Sequence, residues 1–360
     1  MRKALLYTHL WAGLTASIFL VVLGVTGALV AFENEIDRAL NAKLSYVLPK
    51  GQPLSLAAIE QSLLSRYSQS RVEGFELPER PDLSLFVALV DNSGKHQELF
   101  VDPYSGMVLG SAEEANHFAQ RIHQFHTHLV AGEIGRQIVG WSGVFLLLLS
   151  ISGIILWWPS GLFRLRWTGS GKRFNFELHN TIGILSSLFL FVFAATSVCI
   201  HWEKQVENLA EQMSPAQASR AAMLHIPAPG IQPLSPDRLV EIARNTLPGA
   251  RVVVLQLPAS PKVPVQVALK FPEDHTPVGR SRLRIDAYTG SVLLIESSRR
   301  MSAPIKYARM WNRELHTGDI LYLPTRIVAA FFSLMLPVLA ITGPLIWWNR
   351  RTVTRAPVSR

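Results

Sequence analysis

The sequence predicts a membrane protein in which four transmembrane helices form a bundle and two α+β domains lie outside the bilayer. It further predicts a tandem duplication of one helix–domain–helix unit. Three observations lead there: four apolar stretches of more than 20 residues, basic clusters on one side of all four, and a second half that repeats the first. Only 17% of the residues are charged, against roughly 25% in an average soluble chain.

The apolar stretches cover residues 10–32, 138–158, 180–202 and 327–348. About 20 helical residues cross a hydrocarbon core of ~30 Å. Trp157, Trp158, Trp347 and Trp348 end two of them beside basic residues, where amphipathic rings favour the interface. The first stretch follows Arg2 and Lys3 as a secretory signal would, but it is longer than the usual ~7–15-residue signal core. Its sister copy lies mid-chain, so it reads as a spanning helix.

The net charge of +9 suits nucleic acid or a membrane surface, and position decides for the membrane. Arg2 and Lys3, then Arg164, Arg166, Lys172 and Arg173, then Arg350, Arg351, Arg355 and Arg360 flank the apolar segments on one side. The positive-inside rule turns that side, with both termini, to the cytoplasm. No nucleic-acid partner is expected.

The chain then divides into a first helix (1–33), an extramembrane domain (34–125), a histidine segment with the second helix (126–160) and a basic loop (161–178). A third helix (179–202), a second extramembrane domain (203–315), a histidine segment with the fourth helix (316–349) and a tail (350–360) complete it. Each extramembrane domain opens on a helical pattern, at 54–67 and 237–247. Short β-type runs follow at 83–90 and 98–101, and at 252–257, 263–271 and 281–285.

The duplication is explicit. A shift of 170 sets His9 on His179, Gly13 on Gly183, Thr26 on Thr196 and Glu33 on Glu203. A shift of 180 sets Pro53-Leu54-Ser55 on Pro233-Leu234-Ser235 and Arg71-Val72 on Arg251-Val252. A shift of 184 aligns Asp102, Tyr104, Ser105 and Gly106 with Asp286, Tyr288, Thr289 and Gly290. A shift of 190 sets His126 on His316, Arg136 on Arg326 and Gly153 on Gly343. Helices one and three run the same way, so an axis along the membrane normal should relate the units.

Four of the 11 histidines therefore occupy matched positions: His9 with His179 at the cytoplasmic ends of helices one and three, and His126 with His316 on the outer side. The axis should bring two imidazoles together near each membrane face, an arrangement that suits a planar cofactor gripped from both sides. Haem iron accepts two axial imidazoles, and helix bundles build such sites between facing side chains. Gly24, Gly27, Gly143, Gly153, Gly183 and Gly343 serve either close helix packing or room for a macrocycle. His123 and His201 are further candidate ligands on the outer side; His201 has no counterpart, since Ala31 stands in its place. Zinc competes through His123, His126 and His128 with nearby Glu113, Glu114 and Glu133, although zinc generally takes three or four ligands. The lone Cys199 forms no internal disulfide, and no C-x-x-C-H attaches a c-type haem. No G-x-G-x-x-G follows a strand, so the electron donor is expected to be a quinol, a small carrier or a partner protein.

The runs His126-x6-Glu133-x2-Arg136, Ser152-Gly153 and Trp157-Trp158-Pro159 resemble the PepSY-associated transmembrane helix proteins. So do Leu315-His316-Thr317-Gly318 and His9-x-Trp11-x-Gly13. Asp102-x-Tyr104-Ser105-Gly106 and Asp286-x-Tyr288-Thr289-Gly290 resemble the strand–turn signature of PepSY domains. The resemblance covers nearly the whole chain. It implies two PepSY-like domains on the periplasmic side of a bacterial inner membrane and two b-type haems held by His9, His126, His179 and His316. It also implies reduction of a ferric siderophore or other iron chelate, with electrons entering near His9 and His179 and leaving near His126 and His316. The chelate would dock between the two domains; basic residues such as Arg280, Arg282, Arg284, Arg299 and Arg300 either draw it or, for most of them, form a solvated face. A non-enzymatic regulator or scaffold of a peptidase, or a metal or chelate transporter, are the alternatives.

Overall fold

The computed structural model describes residues 1–158, 170–214, 219–220 and 231–353. The expected basic residues Arg164, Arg166, Arg355 and Arg360, and Pro159, lie outside the described residues. Two compact units emerge. One holds Met1–Asn34, Phe118–Asn208 and Trp311–Arg360; the other holds Glu35–His117 and Leu209–Met310.

Among the described residues the first unit contains four helices long and apolar enough to cross a membrane: α1 (Arg2–Val30), α6 (Gly132–Trp157), α7 (Gly171–His201) and α12 (Leu323–Val353). Even the 26-residue α6 is ~39 Å long at 1.5 Å per residue, enough to span. Helix α1 packs on α6 and α12, and α7 packs on the same two. The pairs α1/α7 and α6/α12 are therefore diagonals of a square. Ala16, Leu20, Leu146, Leu190, Leu336 and Ala340 fill its middle. Neighbouring helices touch at small residues. A Cβ on Gly143 would lie 2.9 Å from Ser197 Oγ, and one on Gly27 2.9 Å from Ser333 Oγ. The repeat sets Gly143 on Ser333 and Gly27 on Ser197, so each contact pairs one glycine with one serine and the two copies exchange roles.

Short helices complete this unit. α5 (Phe118–His128) leads into α6, and α11 (Asn312–Thr317) leads towards α12. Leu129 and Val130 take positive φ between α5 and α6, which turns the chain sharply.

The second unit follows the repeat. Helices α2 (Glu33–Leu40), α3 (Ala42–Ser45) and α4 (Leu56–Arg66) precede β1 (Ser70–Glu76), β2 (Leu85–Asp91), β3 (His96–Val101) and β4 (Val108–Ser111). In the second copy α8 (Glu203–Met213) passes from the first unit into the second at Leu209, and β5 (Ser219–Arg220), α9 (Pro236–Thr246), β6 (Arg251–Gln256), β7 (Val265–Lys270), β8 (Ser281–Ile285) and β9 (Val292–Glu296) follow. A helical turn α10 (Ala303–Lys306) and a π-helical turn (Tyr307–Trp311) close it. Ser55 and Ser235 cap α4 and α9 in the same way, each Oγ accepting from the amide three residues on, as N-cap serines do. The Asp-x-Tyr-Ser/Thr-Gly motifs are turns. Asp102 and Asp286 each accept from the amide two residues ahead at 2.9 Å, and Gly106 and Gly290 supply φ of 71° and 74°.

Two separate α+β domains are the expectation; the structure joins them in one antiparallel sheet, β4-β3-β2-β1-β6-β7-β8-β9-β5. The junction is β1 on β6, with Gly74 opposite Gln256, Phe75 opposite Leu255 and Glu76 opposite Val254. Under the 180-residue shift Phe75 is the counterpart of Leu255, so a local two-fold axis passes between them. The flanking bonds obey it: Leu77 N donates to Val253 O at 2.7 Å, and Leu257 N donates to Glu73 O at 2.8 Å. Helices α4 and α9 bury Ile59, Leu63, Leu239 and Ala243 against strand residues of both halves.

Candidate cofactor site

The four matched histidines meet in two pairs. His9 on α1 and His179 on α7 approach along one diagonal, ring centres 6.4 Å apart. His126 on α5 and His316 on α11 face each other at 6.2 Å. The second pair leans on the far ends of α1 and α7, where Thr26 and Thr196 contact them. His9 and Thr26 are 26 − 9 = 17 residues apart, so the pairs are ~25 Å apart along the bundle.

Each ring is oriented by a hydroxyl on a neighbouring helix. His9 Nδ1 lies 2.8 Å from Ser152 Oγ and His179 Nδ1 2.8 Å from Thr342 Oγ1. His126 Nδ1 lies 3.1 Å from Thr26 Oγ1 and His316 Nδ1 3.0 Å from Thr196 Oγ1. These hydroxyls already donate to the carbonyl four residues back: Ser152 to Leu148, Thr342 to Val338, Thr26 to Val22 and Thr196 to Val192. With its hydrogen spent, each oxygen accepts from Nδ1–H. The tautomer follows: Nδ1 carries the proton and Nε2 keeps its lone pair. A metal-ligating imidazole commonly has its second nitrogen fixed in this way.

The spacing fits a shared metal. Nitrogens ~2 Å from one ion, each ~1.1 Å from its own ring centre, put the ring centres ~6 Å apart. Two imidazoles with no third protein ligand suit a haem iron, whose other four nitrogens come from the porphyrin. Burial, with His316 and His123 beside it, pushes His126 down to about 3, and burial pushes His316 down to about 4. Both rings are therefore neutral near pH 7, the form that binds metal.

The glycines meet two kinds of neighbour. A Cβ on Gly153 would sit 3.4 Å from His9 Cε1, one on Gly343 3.5 Å from His179 Cε1, and one on Gly27 3.0 Å from His126 Cε1. These three seat imidazoles. Gly24 meets Pro337, Gly143 meets Ser197 and Gly183 meets Leu339, which is helix packing.

The remaining candidates stand apart from the pairs. His123 Nδ1 contacts Glu33 Oε2 at 2.7 Å, His128 turns to Thr127, and His126 faces His316. The His123/His126/His128 run thus does not converge, and among the described residues no three His, Cys, Asp or Glu side chains gather as a metal site. His201 packs on Gly140 and Trp202, with Nε2 3.3 Å from Gln137 Oε1. Of the basic residues expected to attract an anion, Arg299 is engaged by Glu273 and lies over Phe271. Arg282 and Arg284 are exposed on one face of β8.

The four orienting hydroxyls are not among the site residues the sequence predicts. Their signal is present there, since Thr26 matches Thr196 and Ser152 matches Thr342 at the histidines' own shifts. The family model described as PepSY-associated TM region matches residues 6–350. No curated protein matches the chain.

Proposed function

Because the chain belongs to the PepSY-associated TM region family, we propose that it is a di-haem reductase of the bacterial inner membrane. Its substrate is a ferric siderophore or similar iron chelate, reduced to release ferrous iron on the periplasmic side. The two halves of the sheet are then PepSY-like domains, and the Arg2, Lys3 and Arg350 ends face the cytoplasm.

One observation carries this reading: two pairs of imidazoles at the separation a shared iron requires, each with Nδ1 tied to a hydroxyl so that Nε2 is the nitrogen with the lone pair. Bound haem supplies one-electron redox chemistry. The chain's residues do the rest. His9 and His179 would hold one haem and His126 and His316 the other. Ser152, Thr342, Thr26 and Thr196 fix the ring planes, and the apolar middle of the bundle excludes water between the two sites. Exposed Arg282 and Arg284 offer positive charge to an anionic chelate.

The test is anaerobic. Reduced protein is mixed with a panel of ferric chelates, and a ferrous-specific dye reports the product. Ferrous iron should appear in step with reoxidation of the haem spectrum; reduced protein that ferric chelates leave unchanged would refute the activity.

A further inference from the structure

The duplication is broken at one place. The groove between α6 and α7, at the end that holds His126 and His316, carries His201, Gln137, Glu133 and Trp202. The quasi-equivalent groove between α12 and α1 carries Ala31, Ile327, Leu323 and Phe32 in their places. Gly140, where a Cβ would collide with the His201 ring, is matched by Ala330. Histidine and the space for it thus occur together in one copy and are missing together from the other. In the apolar groove Arg326 donates to Ala31 O at 3.2 Å and lies over Phe32. In the polar groove Arg136 is held instead by Glu133 at 2.7 Å.

The hydrogen bonds in the polar groove have a fixed direction. Glu133 accepts from Arg136 and from Gln137 Nε2, the latter at 2.7 Å. Only the amide nitrogen of Gln137 can donate to a carboxylate, so its Oε1 points at His201 and accepts from Nε2–H at 3.3 Å. His201 Nδ1 is then the basic nitrogen. Trp202 lies edge-on to the ring at 4.4 Å, and Trp141, 55% exposed, lies edge-on to Trp202 at 5.9 Å. His201 lies five residues beyond Thr196, the residue that orients His316, or ~7.5 Å along α7.

We propose that this groove binds a quinol headgroup from the membrane pool and that His201 Nδ1 takes its hydroxyl proton. An exposed tryptophan, a base of fixed direction and an amide side chain, together at the end of two apolar helices, suit an amphipathic diol better than a water-soluble chelate. The inference rests on the reductase reading, names its electron donor, and moves electron entry to the His126/His316 end, whereas the family resemblance implies entry near His9 and His179. One quinol becomes one quinone as two O–H bonds break. Two protons leave through His201 to water, and the two electrons reduce two ferric ions to ferrous. Haems held by His126/His316 and His9/His179 would supply the one-electron carriage that matches this two-electron donor to a one-electron acceptor.

The test uses the full chain in lipid nanodiscs with decylubiquinol as probe. Haem reduction by decylubiquinol should saturate in the native protein and run at least tenfold slower in His201→Ala and in the milder Gln137→Ile. Both variants should keep the native haem content and full reduction by dithionite. Decylubiquinone should also quench tryptophan fluorescence, with at least tenfold weaker binding in His201→Ala. Native reduction rates in both variants, loss of a haem in His201→Ala, or quenching by ferric-EDTA in place of the quinone would each overturn the inference. Dithionite revealing no haem in the native protein would sink the reductase reading instead, while His201-dependent quenching would still register a quinone site.

Discussion

His9 and His179, 170 residues apart in the chain, face each other across the bundle diagonal at 6.4 Å because Ser152 and Thr342 hold them by the same bond. Two unrelated single histidines would have no reason to share a partner type, a distance and a seating glycine. The duplication supplies all three at once.

Removal of one orienting hydroxyl should loosen one site only. Ser152→Ala leaves His9 Nδ1–H without its acceptor, and loss of such a partner typically costs roughly 10–100-fold in metal affinity. Haem retention through a washing series reports this. Equal retention in Ser152→Ala and the native protein would count against the orienting role.

Gly27 and Gly153 seat rings at opposite ends of the bundle. Gly27→Val should displace His126 and alter only one of two low-spin ferric signals in electron paramagnetic resonance, while Gly153→Val alters the other. One signal changed by both substitutions would contradict two independent sites.

The sheet junction has its own vulnerability. A Cβ on Gly74 would lie 2.7 Å from Leu255 O, a backbone atom that moves only with the strand. Gly74→Val should destabilise the sheet unit by ~1–3 kcal/mol, the usual range for overpacking, and lower its thermal midpoint. An unchanged midpoint would show that β1 and β6 do not pair as described.

Much of this architecture is legible in the sequence and some is not, for identifiable reasons. The four spans are legible because length and apolarity alone define them. The histidine pairing is legible because a repeat plus an axis dictates which residues meet. Strand β1 is hidden: Arg71 and Glu73 flank Val72 as alternation requires, but Gly74 breaks the pattern, and a bulge lies between Val72 and Gly74. Its pairing with β6 is hidden too, since the choice of edge partner leaves no mark on either strand's own pattern. The hydroxyl roles required knowing that Ser152 and Thr342 back-bond to their helices, which only coordinates reveal.

Acid should stabilise the sheet unit through Glu60. Burial raises its carboxyl above the usual range, and the nearby Asp237 carboxylate, which accepts from Leu56 N and Ala57 N at 2.9 Å, raises it further. The folded state then binds more protons than the unfolded chain, so stability falls as pH rises from about 4.5 through the raised folded value. Glu60→Gln should remove that fall and raise the thermal midpoint near neutral pH. A Glu60→Gln profile parallel to the native one from about pH 4 to 7 would refute the assignment.

The most direct measurement is haem per chain by the pyridine haemochrome assay, in the native protein and in single histidine variants. Two haems in the native protein, one in His9→Ala, one in His126→Ala and none in the double variant are the predicted values. A native protein free of haem, or His9→Ala retaining both, would contradict the account.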